Sequence, residues 1–330
     1  MSANTLRDLN MLPESENKTE TESSTNGEFH KPQTEHTEEN REERKNSCPL
    51  VEISPNENGA LVSGTEAASI EVEYIESENL DDVEDVDTSL EILLVGLESK
   101  DWVVVCGALN NVRRLSLFHK ELLHEKLGNV ISLVVKSLKN PRSAVCKTAV
   151  MASEDIFKAY NDHTIDSLDP LLVQLLLKSA QDKRFVCEAA EKALIAMTTW
   201  VSPVLLLPKL QPCLKNRNPR IRAKASMCFC RSVLRLGFDG IETYGIDKII
   251  HIAATQLIDQ LPESREAART LLLELQSVYE NSHISSAAAL TENQDKNSWE
   301  QFCLSNLSPL SAQAVLRVTN VAREGLSKDP

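Results

Sequence analysis

Long apolar runs, glycine and aromatic residues are all scarce in this sequence. The 330 residues include 10 glycines and 4% aromatic side chains. None of the apolar runs reaches the roughly 18 residues that a membrane-spanning helix needs. The start of the chain has no basic-then-apolar signal and no glycine after the first Met, and the end has no cysteine box for a lipid anchor. We therefore expect a soluble, cytoplasmic protein that does not bind membranes.

The motifs of catalysis and metal binding are also missing. The sequence has no Gly-rich phosphate loop and no Ser or Cys nucleophile motif, and its seven histidines are scattered. Its eight cysteines form no CxxC pair. Cys228 and Cys230 would face opposite sides of a helix, because two residues correspond to about 200° of rotation. We expect a protein that is not an enzyme and that binds no cofactor, metal or small-molecule substrate.

The acidic charge is concentrated at the N-terminus. Residues 1–88 hold 23 acids and 6 bases, which leaves 26 acids and 29 bases for residues 89–330. The few apolar residues of the first segment cannot offset the conformational entropy that ordering would cost. We predict that residues 1–88 form a disordered acidic region, followed by a nearly neutral folded domain. A short partner-binding motif is the alternative within it, where Ile70, Val72, Tyr74 and Ile75 alternate with acids.

One short pattern recurs five times after residue 88. It has a β-branched or small residue, then Cys or Arg, two variable positions, and Ala or Leu, and it occurs at Val105–Leu109, Val145–Ala149, Val186–Ala190, Ile221–Ala225 and Ser264–Ala268. A period near 40 residues is typical of HEAT and armadillo repeats, in which each pair of helices buries its apolar face against its neighbours. The sequence thus predicts an all-α solenoid of five helical pairs over residues 89–280.

A polar turn precedes each copy of the pattern and should join the two helices of its repeat. The five turns are Glu98–Asp101, Lys139–Ser143, Gln181–Arg184, Lys215–Arg220 and Gln260–Ser264. Two of them contain Asn-Pro, which suits a helix that begins at the proline. Stacking of the repeats would align these turns along one edge. We also expect Cys106, Cys146 and Cys187 to be buried at equivalent places, since they share one register.

The turns carry a family resemblance. Asp101-Trp102, followed by Val105, Leu109, Val112, Arg113 and Leu115, resembles the opening repeat of TOG domains of the CLASP and crescerin group, within the HEAT/ARM repeat superfamily. Leu138–Ala149 and Pro262–Arg269 are similar to the second and fifth turns of that group. Phe302–Leu316 resembles its closing helical element. The resemblance covers residues 89–320, with 281–298 as a polar linker and 299–330 as a helical segment that packs on the domain through Trp299, Phe302, Leu307 and Leu310.

This resemblance implies that the aligned turns bind tubulin or microtubules and regulate microtubule organisation in the cytoskeleton. Carried over to this sequence, the tubulin-binding positions are Trp102, Arg142, Lys183, Arg184, Arg217, Arg220 and Arg265. A tryptophan in a charged turn is also a candidate interface anchor on physical grounds. Two alternatives stay open: Trp102 could instead plug the start of its helix, and Arg265 could serve packing between repeats, because it occupies the position of Cys in the first three copies.

Other functions compete with tubulin binding. Residues 215–235 hold seven bases and no acid, and Arg220, Lys224, Arg231 and Arg235 fall on one helical stripe that could contact nucleic acid. The acidic N-terminus and the near-neutral domain argue against that partner. A generic HEAT scaffold for another protein is the third possibility, since a fold alone does not define a ligand.

Overall fold

The computed structural model describes residues 74–287 and 298–326, with side chains in 74–282 and 298–320. The regular structure of these residues is helical throughout and contains no strand, which confirms the all-α prediction. Fourteen α-helices follow one another: α1 Val86–Glu98, α2 Trp102–Phe118, α3 Lys120–His124, α4 Leu127–Leu138, α5 Ser143–Tyr160, α6 Leu168–Ser179, α7 Arg184–Trp200, α8 Pro203–Leu210, α9 Pro219–Leu234, α10 Gly237–Tyr244, α11 Ile246–Leu257, α12 Pro262–Ala287, α13 Trp299–Asn306 and α14 Pro309–Leu326.

The helices form five pairs, α1/α2, α4/α5, α6/α7, α8/α9 and α11/α12. The second helix of each pair packs against the second helix of the next, in the order α2, α5, α7, α9 and α12. One continuous core runs through all five pairs and includes Leu109, Val130, Phe157, Leu206 and Phe229, all fully or almost fully buried. Each pair buries its apolar face on its neighbours, as in a HEAT solenoid.

Polar caps fix where several second helices begin. Asp101 accepts a hydrogen bond from the Val103 amide (2.9 Å) at the start of α2, and Asn218 accepts one from the Arg220 amide (3.0 Å) at the start of α9. Pro219 is the first residue of α9, as the Asn-Pro pattern predicts. The same expectation is wrong for Pro141, because α5 begins two residues later, at Ser143.

The predicted boundary at residue 88 is wrong. Residues 74–85, which we call the strap, are ordered against the domain, and α1 already begins at Val86. Leu80 of the strap is buried, and the Ser77 hydroxyl donates a 2.6 Å hydrogen bond to the Asp155 carboxylate on α5. Glu76 and Asp82 of the strap also contact bases that lie far away in the sequence, Lys192 and His119. The remainder of the predicted disordered region, 1–73, lies outside the described residues.

Helices α13 and α14 pack against α11 and α12. Trp299 is buried 5.6 Å from the ring of Tyr279, and its indole N–H donates to the Thr319 hydroxyl over 3.3 Å. Leu310 departs from expectation, since it is 81% exposed. The predicted linker also begins too early, because α12 continues to Ala287. Residues 288–297 lie outside the described part of the chain.

Candidate functional site: the turn edge

The five turns within the helical pairs lie along one edge, which we call the turn edge. It comprises residues 98–102, 139–143, 180–185, 215–220 and 258–265. Contacts join the first four turns: the Arg142 guanidinium lies 5.2 Å from the centroid of the Trp102 ring, Lys183 Nζ donates to Ser143 Oγ over 3.0 Å, and Arg220 pairs with Asp182 at 2.7 Å. Arg222 of α9 joins the fourth turn to the fifth, because it donates to the Asn216 carbonyl and pairs with Asp259 at 2.6 Å. Every turn therefore lies next to its neighbour in chain order.

Trp102 begins a helix on the turn edge and is neither fully buried nor fully exposed. It is the first residue of α2, and its partly buried ring packs against the core. The exposed Arg142 covers part of the ring through a cation–π contact, of a kind worth about 0.5–1 kcal/mol at a surface. The ring is thus a helix-start residue that is still partly open to solvent on the turn edge.

Five of the six predicted cations are exposed: Arg142, Lys183, Arg184, Arg217 and Arg220. Lys183 reaches back to Ser143 on the preceding turn, and Arg184 pairs with Glu188 of its own helix at 2.7 Å. The Arg217 side chain has no hydrogen bond or ion pair among the described residues. Arg217 is therefore the predicted site residue whose charge is most available to a partner.

Arg265 forms hydrogen bonds within its own turn. Its guanidinium donates 2.8 Å hydrogen bonds to the carbonyl oxygens of Asp259 and Gln260. Arg222, at the equivalent place in the fourth repeat, donates to the carbonyl oxygens of Asn216 and Arg217. These contacts give Arg265 a structural role within its own turn, which differs from the packing between repeats that the sequence left open. They satisfy carbonyl groups that the end of a helix leaves unpaired.

Cysteine thiols occupy this place in the second and third repeats. Cys146 Sγ donates to the Leu138 carbonyl and Cys187 Sγ to the Ser179 carbonyl, at 3.5 and 2.9 Å. Burial raises the pKa of the Cys106 and Cys146 thiols. Cys187 is only partly buried, so the expectation of a buried thiol is wrong at this position, although its place in the repeat is equivalent to that of Cys146.

Two apolar residues on the turn edge were missed in the sequence. Phe185, the second residue of α7, is 43% exposed, and Lys147 Nζ lies 5.8 Å from its ring. Ile258 is 77% exposed where α11 ends at the fifth turn. The position of Phe185 directly after the polar run Asp182-Lys183-Arg184 was the available signal. Together with Trp102, these side chains give the edge apolar contact points at three of its five turns.

The charge of the turn edge is positive in the middle. Counted over the turns as predicted, the second, third and fourth carry seven bases and one acid, a net charge of +6. The first and fifth turns each carry a net charge of −1. Clustered charge of one sign steers a partner of the opposite sign towards the surface.

The basic stripe of α9 is occupied within the molecule. Arg220 and Lys224 pair with Asp182 and Glu191, at 2.7 and 2.5 Å. Further along, Arg231 donates to the Thr198 hydroxyl over 3.2 Å, and Arg235 donates to the carbonyl oxygens of Thr198 and Val201. The stripe therefore fastens α9 to the third repeat, and its cations are already paired.

Among the described residues, no group of three His, Cys, Asp or Glu side chains is arranged to hold a metal ion. None of the helices described is both long and apolar enough to cross a membrane.

Comparisons with known proteins agree with this architecture. No protein-family model matches the chain. A TOG domain of Zyg9 from C. elegans superimposes with a TM-score of 0.51 at 15% identity, covering 76% of this chain and 91% of that one. A structure described for TOG–tubulin binding specificity gives a TM-score of 0.50 at 14% identity, covering 69% and 81%. The helical pairs and their turn edge thus form the TOG-domain fold.

A similar sequence occurs in a much longer protein. The mouse TOG array regulator of axonemal microtubules protein 1 is 35% identical to this chain over 114 residues. The alignment covers 34% of this chain and 6% of that relative, so this chain spans a small part of its length.

Proposed function

We propose that the turn edge binds tubulin and that the chain regulates microtubule organisation by binding and without catalysis. One observation carries the proposal: the five turns form a continuous edge with a positively charged centre and with Trp102 at its first turn. An acidic protein surface fits such an edge. The partner is free tubulin or the microtubule, and the chain acts at the cytoskeleton in the cytoplasm, without a cofactor.

The side chains of the turn edge have different roles in this proposal. Trp102 and Phe185 supply apolar contact, which gives most of the affinity in protein interfaces. Arg142, Lys183 and Arg217 supply charge that steers association. Arg184 and Arg220 stand at the rim, each already paired with a carboxylate of this chain, and Arg265 holds the shape of the fifth turn. Of the seven predicted positions, Arg265 contributes least directly.

The similar proteins support the choice of partner. The mouse relative is named for the regulation of axonemal microtubules, and one of the similar folds was described for its binding to tubulin. Nucleic acid is disfavoured as the partner, because the cations of the α9 stripe are paired with the third repeat. A general protein scaffold would not need three consecutive basic turns.

Size-exclusion chromatography of the chain with purified tubulin tests the proposal, with co-sedimentation on polymerised microtubules as its second arm. We expect co-elution or co-sedimentation that weakens as salt rises, because exposed charges are screened over about 10 Å at 0.1 M ionic strength. The double variant Arg142→Glu/Lys183→Glu should bind more weakly, since both side chains are exposed. Absence of the folded wild-type chain from both the tubulin and the microtubule fractions at low salt would refute the proposal.

A further inference from the structure

The strap follows the second helices of the first three repeats. At its C-terminal end, the Asp82 carboxylate lies 2.8 and 2.9 Å from His119 Nε2, and the Asp81 carbonyl accepts a 3.1 Å hydrogen bond from Arg114 Nε. Both partners belong to the last two turns of α2 and the residue after it. This end of the strap leads into α1 through Asp85, which caps that helix.

The middle of the strap covers a buried ion pair. Arg113 Nε on α2 donates to Asp155 on α5 over 2.7 Å, and both side chains are at most 1% exposed. Ser77 donates to the other oxygen of the same carboxylate over 2.6 Å, and Arg113 Nη2 donates to Ser77 Oγ over 3.4 Å. Leu80 of the strap is buried as well. The strap hydroxyl thus completes a polar cluster that two helices share.

The N-terminal end of the strap reaches the third repeat. Glu76 pairs with Lys192 of α7 at 3.6 Å. Lys147 Nζ of α5 lies 3.9 Å from the centroid of the Tyr74 ring, and the same ammonium group lies 5.8 Å from the ring of Phe185 on the turn edge. Strap and turn edge therefore meet at Lys147.

Opposite charges meet at two points of the contact. Residues 74–85 contain six acids and no base. Asp82 lies against His119, and Glu76 pairs with Lys192. The other basic contacts of the strap are to a hydroxyl, a backbone carbonyl and an aromatic ring, and they come from Arg113, Arg114 and Lys147. The strap forms one 3-10 turn at Ser77–Asn79 and is otherwise irregular up to α1. Short peptide segments held in a groove by side-chain contacts are a common mode of recognition.

We propose that this face of α2, α5 and α7 is a binding groove for an acidic peptide with a single turn at its centre and an aromatic residue at its N-terminal end, and that the strap is its resident occupant. A partner protein with such a segment binds the same groove when the strap leaves it. The groove is distinct from the turn edge, although Lys147 connects the two. This inference rests on the strap contacts and holds whether or not the turn edge binds tubulin.

The strap competes with any free peptide and so lowers the apparent affinity of the groove for that peptide. A segment joined directly to its binding domain has an effective concentration on the order of millimolar. A groove with an intrinsic Kd of about 10 µM would then bind a free peptide about 100-fold more weakly than its intrinsic affinity. Weakening the strap should therefore strengthen binding of the same peptide in trans.

Fluorescence anisotropy with a labelled synthetic peptide of residues 74–85 measures this exchange on the full chain. The strap-weakened variant is Tyr74→Ala/Ser77→Ala/Asp82→Ala, and the milder Glu76→Gln/Asp82→Asn variant serves if the first loses stability. We expect either variant to bind the peptide at least 10-fold more tightly than the wild-type chain. Adding Lys147→Glu to the variant should abolish the gain, and a peptide with its acids replaced by amides should bind neither protein.

Two results would overturn the proposed groove. If a strap-weakened variant keeps its thermal melting temperature and helix content but binds the acidic peptide no better than the wild-type chain does, the face is not a peptide groove. Equal binding of the acidic and the amidated peptide would also overturn it, because charge complementarity would then have no role. Tubulin affinity is not used in this experiment, so the groove and the proposed function fail independently.

Discussion

The guanidinium carbon of Arg142 lies 5.2 Å from the centroid of the Trp102 ring. The pair joins the second turn to the first and places a cation over an aromatic face that is partly open to solvent. Arg142 is itself exposed, so a partner docking on the first two turns would meet charge and apolar surface together. Replacing either residue changes the surroundings of the other, and each substitution therefore needs a stability measurement beside the binding measurement.

Arg217 tests the charge of the turn edge most cleanly. Its side chain makes no ion pair among the described residues, so Arg217→Glu should leave the melting temperature unchanged. We expect slower association with tubulin and a weaker salt dependence, because rim charges act mainly on encounter. Stopped-flow or surface-based kinetics at two salt concentrations measure both. The matched control is Lys248→Glu, because Lys248 is an exposed cation in the first turn of α11, at the edge opposite the turn edge. An equal effect of the two variants on association would show that only the net charge of the chain matters.

Arg235 tests the structural role of the α9 stripe. It donates to the carbonyl oxygens of Thr198 and Val201 at the end of α7. Arg235→Ala should lower the free energy of unfolding by about 1–3 kcal/mol, the range for charge-assisted hydrogen bonds to groups that would be left unpaired. Chemical denaturation measures the change. A variant with unchanged stability that instead loses binding to nucleic acid would favour the alternative reading of the stripe.

The C-terminal helices offer a matched pair of apolar substitutions. Trp299 is buried among Tyr279, Phe302 and Thr319, whereas Leu310 is 81% exposed. Trp299→Ala should cost about 3–5 kcal/mol of stability, as for other large core side chains. Leu310→Ala should change it by less than about 0.5 kcal/mol. Similar denaturation midpoints for the two variants would mean that α13 and α14 do not dock on the domain in solution.

The helical pairs could be predicted from the sequence because each pair is encoded by a pattern within its own repeat. Each pair repeats one apolar pattern at a spacing near 40 residues, and a stack of such pairs buries the pattern in only one way. The alignment of the turns follows from the same repeat. A contact between two particular residues that are far apart in the sequence cannot be predicted from the repeat spacing.

The order of the strap could not be predicted from the repeat pattern. Its composition is acidic and its only deeply buried apolar residue is Leu80, so a rule based on hydrophobicity predicts disorder. Its contacts are with His119 and with side chains of α2, α5 and α7, whose positions are known only once the repeats are stacked. The same holds for Arg265, which looks like a surface cation until its bonds to the fifth turn are visible, and for Phe185, which the pattern of core positions does not single out.

Trp102→Ala, measured for tubulin affinity and thermal stability on the same preparation, tests the central claim most directly. The matched control is Trp200→Ala, since Trp200 is 49% exposed at the far end of α7, away from the turn edge. We predict that Trp102→Ala weakens tubulin binding by about 2 kcal/mol, roughly 30-fold in Kd, with a modest fall in melting temperature from its lost core contacts. Trp200→Ala should bind as the wild-type chain does. A folded Trp102→Ala protein with unchanged tubulin affinity, or an equal loss in both variants, would contradict the assignment of the turn edge as the tubulin-binding surface.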